Sequence, residues 1–415
     1  MAGFSAKERM IAAMLSSMPG LKKVIKNLYV RFNALVYHKP YKSNVADGFG
    51  DINIIESNGK ETFFGYYDKN CERNGKLLFH RTQDQNTFKK PVTDIPVEIV
   101  LREMSTGRES VIGITNTYNW QQGARSQWLD DNHVIFNTLH NGKYSAAIVN
   151  ISDCSICYNS YPVQEVIDSD RYLSINYARI MRLRPDYGYR NLPIPSDEEM
   201  ANTENDGIYI VENGVSRLLH SLKEIATVKP KDIFNQCWHV VNHLMSSPDG
   251  NGFIFIHRYY EGKRRHDRLM YSNFKELRVL VDEDMVSHCC WMDNKTILGY
   301  LRYKNKDGFY VIDLHSGKII LQDVMSSLQF GDGHPSVSNR YVAFDTYPDK
   351  SRMQHLFLFD RKTANIQEIA EMHHSIRYMD ECRCDLHPRF SSDGKRLYFD
   401  TVLSGVRRLA YINLP

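Results

Sequence analysis

LHPRFSSDGKRLYFDT, residues 386–401, reads as a short first strand, an Asp-Gly turn and an apolar second strand. The same unit recurs at 123–139, 242–258, 287–302 and 333–346, with a weaker copy, FGYYDKNCERNGKLLFHR, at 64–81. A third strand often follows, as in YSAAIVNI (144–151), DRLMYSN (267–273), GFYVIDL (308–314), QHLFLFD (354–360) and RRLAYINL (407–414). In the second half the units follow one another at roughly 44 to 56 residues, the period of a four-stranded propeller blade. Residues 171–213, with GIYIVEN, supply one more, degenerate blade, and 185–205, with Pro185, Pro193, Pro195 and many acids, reads as a loop insertion. Six units and that one make seven. The expected architecture is all-β: one seven-bladed β-propeller over residues 49–415, preceded by an amphipathic helical extension at 1–48.

Composition agrees with a packed protein. The 415 residues are 42% hydrophobic and 24% charged, which excludes disordered and collagen-like classes and leaves room for a large core. Lys and Arg number 52 against 49 acids, a net charge of +3, so no global basic field argues for nucleic acid as a partner. Eight cysteines are scattered, and the one CxxC, Cys154–Cys157, has no second pair at zinc-ribbon distance. Reduced thiols, and hence a cytoplasmic location, are expected.

No run of about 18 apolar residues is present to span a bilayer. The apolar stretch Met10–Met18 is short, is broken by Pro19-Gly20, and leads into a basic segment rather than a cleavage site. In residues 21–39, Leu21, Val24, Ile25, Leu28, Val30, Phe32, Leu35 and Val36 fall mostly along one helical stripe, with Lys22, Lys23, Lys26, Arg31 and Lys39 mainly elsewhere. Such a helix either lies on an anionic membrane, giving peripheral contact at the inner membrane through residues 10–39, or packs against the main domain or a partner.

The repeat puts histidines in register. His243, His288, His334 and His387 each stand near the start of a unit, and Ser247, Ser338 and Ser391 follow His243, His334 and His387 by four residues. Arg125 occupies the corresponding place in the 123–139 unit. Equivalent positions of successive blades meet around one axis, so these residues are expected at one mouth of the central channel. Neutral imidazoles gathered there suit a divalent transition metal, with Cys384 and Asp385 close by as further ligands. The alternative is structural: a polar residue in this strand bonding the neighbouring blade's backbone.

Arginines and tyrosines form a second group. Leu78-Phe-His80-Arg81 and Phe255-Ile-His257-Arg258 repeat a His-Arg pair at the end of a strand. Tyr177, Arg179, Arg182, Arg184, Tyr187 and Tyr189 crowd one segment. Arginine forks match carboxylates and tyrosine rings stack on sugars, so this segment is a candidate carboxylate-binding wall, and a solvated charged face is the alternative. Trp120, Gln121 and Gln122 just precede Arg125.

The stretches WHVVNHLMSSPDG (238–250), FIFIHR (253–258), SHCCW (287–291), GDGHPSVS (331–338), FDTYPDK (344–350) and RCDLHPRFSSDGKRLYFDT (383–401) resemble the propeller polysaccharide lyases. That group comprises the oligogalacturonate, ulvan and rhamnose–glucuronate lyases. The resemblance runs over about residues 60–414 and implies a seven-bladed propeller with its site in the central channel. It also implies β-elimination at a uronic acid, in which a base takes the C5 proton and the C4 oxygen departs. Oligogalacturonate lyases hold manganese through histidines of late blades, and His288, His334 and His387 match those positions. Where those enzymes carry a Gln and an extra His before the last ligand, this chain has Cys384-Asp385-Leu386. On the resemblance, His243 is expected as base or acid, Arg258 and Arg125 as carboxylate clamps, and Tyr177 as proton donor. Gln122, Arg179, Arg184, Tyr187 and His257 are expected to contact a uronate-containing glycan.

A second function class stays open. A non-catalytic propeller that binds glycan or protein during capsular or O-antigen polysaccharide assembly would use the same channel and the same N-terminal helix. A glycosyltransferase-like factor is the third reading, although no GxGxxG or GxxxxGK loop is present.

Overall fold

Ser391 shows why the recurring unit turns where it does. In the computed structural model, which describes residues 19–328 and 330–415, its Oγ donates to Asp393 at 2.6 Å and accepts from the Arg396 N–H at 2.9 Å. Gly394 follows at φ +71°, a left-handed conformation that glycine adopts without penalty. Ser247 repeats the device with Asp249 at 2.6 Å and the Gly252 N–H at 3.1 Å, and Ser338 accepts from Tyr341 N at 3.0 Å. The serine four residues after a histidine therefore builds the turn.

The described residues form seven antiparallel sheets. Blade 1 uses Thr62–Phe63, Lys76–Thr82, Val97–Glu103 and Glu109–Thr115, with Glu72–Arg73 as a side pairing. Blade 2 is Gln127–Trp128, His133–His140, Lys143–Asn150 and Ile156–Asn159; blade 3 is Glu165–Val166, Arg171–Ile175, Gly207–Glu212 and Val215–Ser221. Blade 4 runs from Trp238–Ser246 through Phe253–Glu261 and Arg264–Ser272 to Leu277–Val281. Blade 5 comprises Val286–Trp291, Thr296–Tyr303, Lys306–Asp313 and Ile319–Leu321. Blade 6 holds Ser336–Val337, Tyr341–Asp345, Met353–Asp360 and Ile366–His373, and Ser43–Val45 adds a fifth strand on its outer edge. Blade 7 has three C-terminal strands, Arg389–Phe390, Arg396–Thr401 and Arg408–Asn413, and takes Asn53–Ile54 as its fourth.

The seven-bladed propeller is thus the observed fold. Its middle strands are buried on both faces, as in Phe253–Tyr260, because each sheet packs between two neighbours. Blades are also stitched by polar side chains of the second strands. His80 Nε2 accepts the Ala124 N–H at 3.0 Å, and Asn137 bonds both Val163 N (2.6 Å) and Val163 O (2.9 Å). Asp345 accepts from His387 N at 3.0 Å, and Asp400 accepts from Phe64 N and Gly65 N at 3.0 and 2.9 Å, joining blade 7 to blade 1. Gly123 is obligatory at the first of these joints, since a Cβ there would lie 2.3 Å from the His80 ring. In these four blades the stitching role falls to the second strand, and the first-strand imidazoles do not perform it.

Helix α1 (Pro19–Val36) precedes the propeller, while Met10–Met18 lies outside the described residues. The insertion in blade 3 begins earlier than the prolines suggest. It starts with helix α2 (Tyr177–Leu183), capped by Asn176, whose side chain accepts from Ala178 N and Arg179 N at 3.1 Å each. A second short helix, α3 (Asp197–Ala201), carries a Ser196–Glu199 capping box.

Candidate functional site in the propeller channel

The four register histidines meet. Ring centroids lie 4.0 Å apart for His288 and His334, 4.2 Å for His334 and His387, and 6.2 Å for His243 and His288. Local backbone explains the convergence. His243 and His387 sit at φ +53° and +48°, as Arg125 does at +57°, and the ladder slips between Asn242 and Met245 and between Val286 and Cys289. Bulges of this kind turn a side chain out of the sheet's alternation, and the left-handed conformation costs a non-glycine residue about 1–2 kcal/mol.

Tyr66 and Tyr67 fill the centre. Tyr66 stacks on His243 at 5.1 Å, its hydroxyl 3.4 Å from Nε2, and lies 4.9 Å from His387. Tyr67 donates to Cys289 O at 2.9 Å and accepts from Cys289 N at 3.1 Å. Neither tyrosine stood out in the sequence, because the extra residues of 68–75 disturb the register of the weakest repeat.

Burial pushes His243 well below the usual imidazole range, and the Arg258 and Arg184 charges push it further. His288 and His387 are likewise held neutral, by burial first and by His334 second. His334 goes the other way. Burial would lower it, but Asp345, at 2.9 and 3.1 Å from Nδ1, raises it.

Above the imidazoles a cavity of about 350 Å³ opens, lined by Gln121, Arg184, Asp186, Tyr187, Arg258, Arg265, Val286, Ser287, His288, Asp332, Tyr347, Asp380, Glu381 and Arg383. Four guanidinium groups reach it. Arg184 pairs with Asp186 (2.8 Å), and Arg383 clasps Asp385 through two bonds of 2.5 and 2.8 Å. Arg258 and Arg265 share Asp267 at 3.1 and 3.2 Å. Arg258 Nε is held by Asp267, whereas Arg258 Nη1 and Arg184 Nη1 are buried nitrogens without a hydrogen-bond partner among the described residues. Burial and the neighbouring Arg184 both oppose the charge on Arg258. An anion entering the cavity would satisfy both nitrogens.

The structure therefore brings Arg258, Arg184, Tyr187 and His288 to one cavity, with His243, His334 and His387 beneath. Five expected site residues lie elsewhere. Arg125 is buried in a two-bond pair with Asp68 at 2.8 and 2.6 Å and donates to Gln164 O at 3.0 Å. Tyr177 donates to Gln164 Oε1 (2.6 Å) and Val163 O (3.0 Å). Arg179 binds Asp206 at 2.5 Å and four backbone carbonyls, which ties the insertion together. Gln122 is buried, its amide without a partner. His257 is stacked on His239 and hydrogen-bonded to it at 2.9 Å and to Arg268 at 3.1 Å. Successive strand residues face opposite sides, so His257 and Arg258 cannot both reach the cavity. Arg383, Arg265, Tyr347 and Asp332 were missed, and the Arg-Cys-Asp run at 383–385 was the one signal for Arg383.

Donor atoms of His334, Asp385 and His387 lie within 4.8 Å of one another, and His387 Nε2 is buried without a partner. Two imidazoles, one backed by the Asp345 carboxylate, with the Asp385 carboxylate, also held by Arg383, as third donor make a set that suits a divalent ion. His288 is outside this group; its Nδ1 faces Ser287 Oγ at 3.1 Å and Asp332 at 3.7 Å.

A second cluster, His355, Glu368 and Glu371, lies in blade 6. Burial would lower His355, but hydrogen bonds with Asp349 and Glu368 raise it to about 9, and Lys39 neutralises Glu371 at 2.5 Å. The side chains are engaged with one another and with Asp349 and Lys39, and the group is a cluster of ion pairs. Its stabilisation is fully present below pH ~6.5 and is lost as pH rises through ~9, a contribution of up to about 3 kcal/mol. His355→Gln should therefore destabilise at pH 6 and converge on the parent near pH 10 in urea unfolding; a gap independent of pH would refute this account.

No family model and no curated protein matches the chain. Among solved structures it is similar to an oligogalacturonate lyase in complex with manganese, with TM-score 0.54 and 14% identity over 90% of this chain and 98% of that one. The oligogalacturonate lyase of Vibrio parahaemolyticus gives TM-score 0.54 and 13% identity over 90% and 99%. A prolyl endopeptidase gives TM-score 0.49 and 11% identity over 99% of this chain and 56% of that one. At such identities the first two likenesses establish the architecture alone: the chain has the β-propeller fold that those two lyases have.

Proposed function

We propose that the protein is a lyase that cleaves a uronate-containing oligo- or polysaccharide by β-elimination in the channel. The observation that carries this reading is the unpartnered guanidinium nitrogens of Arg258 and Arg184 facing a cavity bordered by the neutral imidazole of His288. The C5 proton of a uronate is removable only when the charge growing on its carboxylate is stabilised, and two largely buried arginine side chains supply that stabilisation. His288, uncharged and on the wall, takes the proton. Tyr187, raised by burial and so kept protonated, donates to the departing O4. His243 lies one layer below, stacked against Tyr66, and holds the floor in place. A divalent ion, manganese by likeness to the first lyase, would be held by His334, His387 and Asp385 and would supply further charge stabilisation.

The second reading is a glycan-binding propeller without turnover. Asp385 favours it, since both its carboxylate oxygens are engaged by Arg383. One experiment separates the two. Purified protein is offered a panel of uronate glycans with and without manganese, and the ultraviolet absorbance of the conjugated unsaturated product is followed. Growth of that absorbance, lost in His288→Ala, supports elimination. Glycan binding with no absorbance change on any substrate would replace it with the binding-only reading.

A further inference from the structure

Helix α1 is turned the opposite way from a docked amphipathic helix. At 100° per residue, Val24, Ile25, Leu28, Phe32, Leu35 and Val36 share one arc of about 120°. That arc faces solvent: Leu28 is 63% exposed, Phe32 64% and Leu35 80%. The helix meets the rest of the protein through its other side, where Asn33 is buried and Asn27, Val30 and Ala34 are partly covered. Lys26 pairs with Asp380 at 3.6 Å, and Asp380 lines the channel cavity, so the helix stands at the mouth.

Charge separates along the chain in the same sense. Residues 1–46 hold eight Lys and Arg against the single acid Glu8, net +7, while 47–415 hold 44 against 48, net −4. No acid occurs between Glu8 and Asp47. An apolar arc presented outward, bordered by Arg31 and carried on a segment rich in lysine and arginine, matches a surface that is oily beneath and negative on top.

We infer that α1 docks the protein on an anionic phospholipid bilayer, with Leu28, Phe32 and Leu35 entering the acyl boundary and the basic residues contacting headgroups. The channel mouth then lies beside the bilayer. This inference does not depend on the lyase reading.

The test is co-sedimentation of the full chain with phosphatidylcholine vesicles, with and without phosphatidylglycerol. The expected result is binding to the anionic vesicles that weakens with salt. In Leu28→Ser/Phe32→Ser/Leu35→Ser it should fall by about 1,000-fold, since each of the three buried apolar side chains accounts for roughly tenfold. All three side chains face solvent, so the melting temperature should not change. Arg31→Gln should reduce binding less, by up to about fivefold. Absence of binding, or binding undiminished in the triple variant, would overturn the inference. So would self-association of the unbound parent that the triple variant abolishes, which would make the arc a contact between two copies.

Discussion

Arg258→Met is expected to lower kcat/KM on a uronate substrate by about 10²–10³, the usual cost of removing one donor from a charge-stabilising site. It should do so without lowering the melting temperature. Arg258 is buried with Nη1 unsatisfied and its charge opposed by Arg184, which offsets what its pair with Asp267 contributes in the free protein. Asp267, its counter-charge, keeps Arg265 at 3.2 Å after the substitution. Activity and stability should therefore separate: a variant that is inactive and melts at or above the parent temperature supports the assignment. A variant that loses several degrees and keeps its rate would make Arg258 structural and return the clamp to Arg184 or Arg383.

Arg125→Met should show the reverse, destabilising the fold by about 3–5 kcal/mol, the cost of breaking a buried pair from one side. Both side chains of the Arg125–Asp68 pair are almost wholly shielded, and the Asp68 carboxyl, which burial alone would raise, is kept low by Arg125 first and Lys69 second. Without the guanidinium, Asp68 faces Glu165 across the same pocket, with Lys69 as the remaining cation. Adding Asp68→Leu should recover most of the loss, because an apolar pair of similar volume replaces two buried charges at little net cost. Denaturant unfolding of the single and double variants measures this, and a single variant within 1 kcal/mol of the parent would show that the pair contributes little.

These two arginines mark what was legible in the chain. The blade period and the register of His243, His288, His334 and His387 were readable because equivalent positions in a repeat converge on one axis whatever the surrounding residues. Arg258 stood out only as the repeat of the His80-Arg81 pair, and Arg81 is taken up by Glu98 and Glu109 instead. Arg125 stands in that register too, with the same left-handed backbone, yet its side chain is taken by Asp68 from another blade, 57 residues away. No local pattern reports such a partner. Arg179 and Tyr177 belong to a helix whose one local sign was Asn176 at its N-cap, and their burial follows from the carbonyls the insertion folds around them. Tyr66 and Arg383 come from segments where the repeat is broken, so alignment of the copies passed over them.

The pairing of Asn53–Ile54 with Arg408–Asn413 sets an order of events during synthesis. Some 350 residues separate the partners, so six blades are translated, and free to form hairpins from local contacts, before the seventh has its last strand. Loop closure over that distance adds only a logarithmic entropic cost, so the ring's completion is limited by when the C-terminal strand leaves the ribosome. Until then Asn53–Ile54 has no partner, and blade 1 lacks the Asp400 anchor for Phe64 and Gly65. The nascent chain is thus an open arc with adhesive flanks, and the interval before closure is when a neighbouring nascent chain can take the missing strand's place.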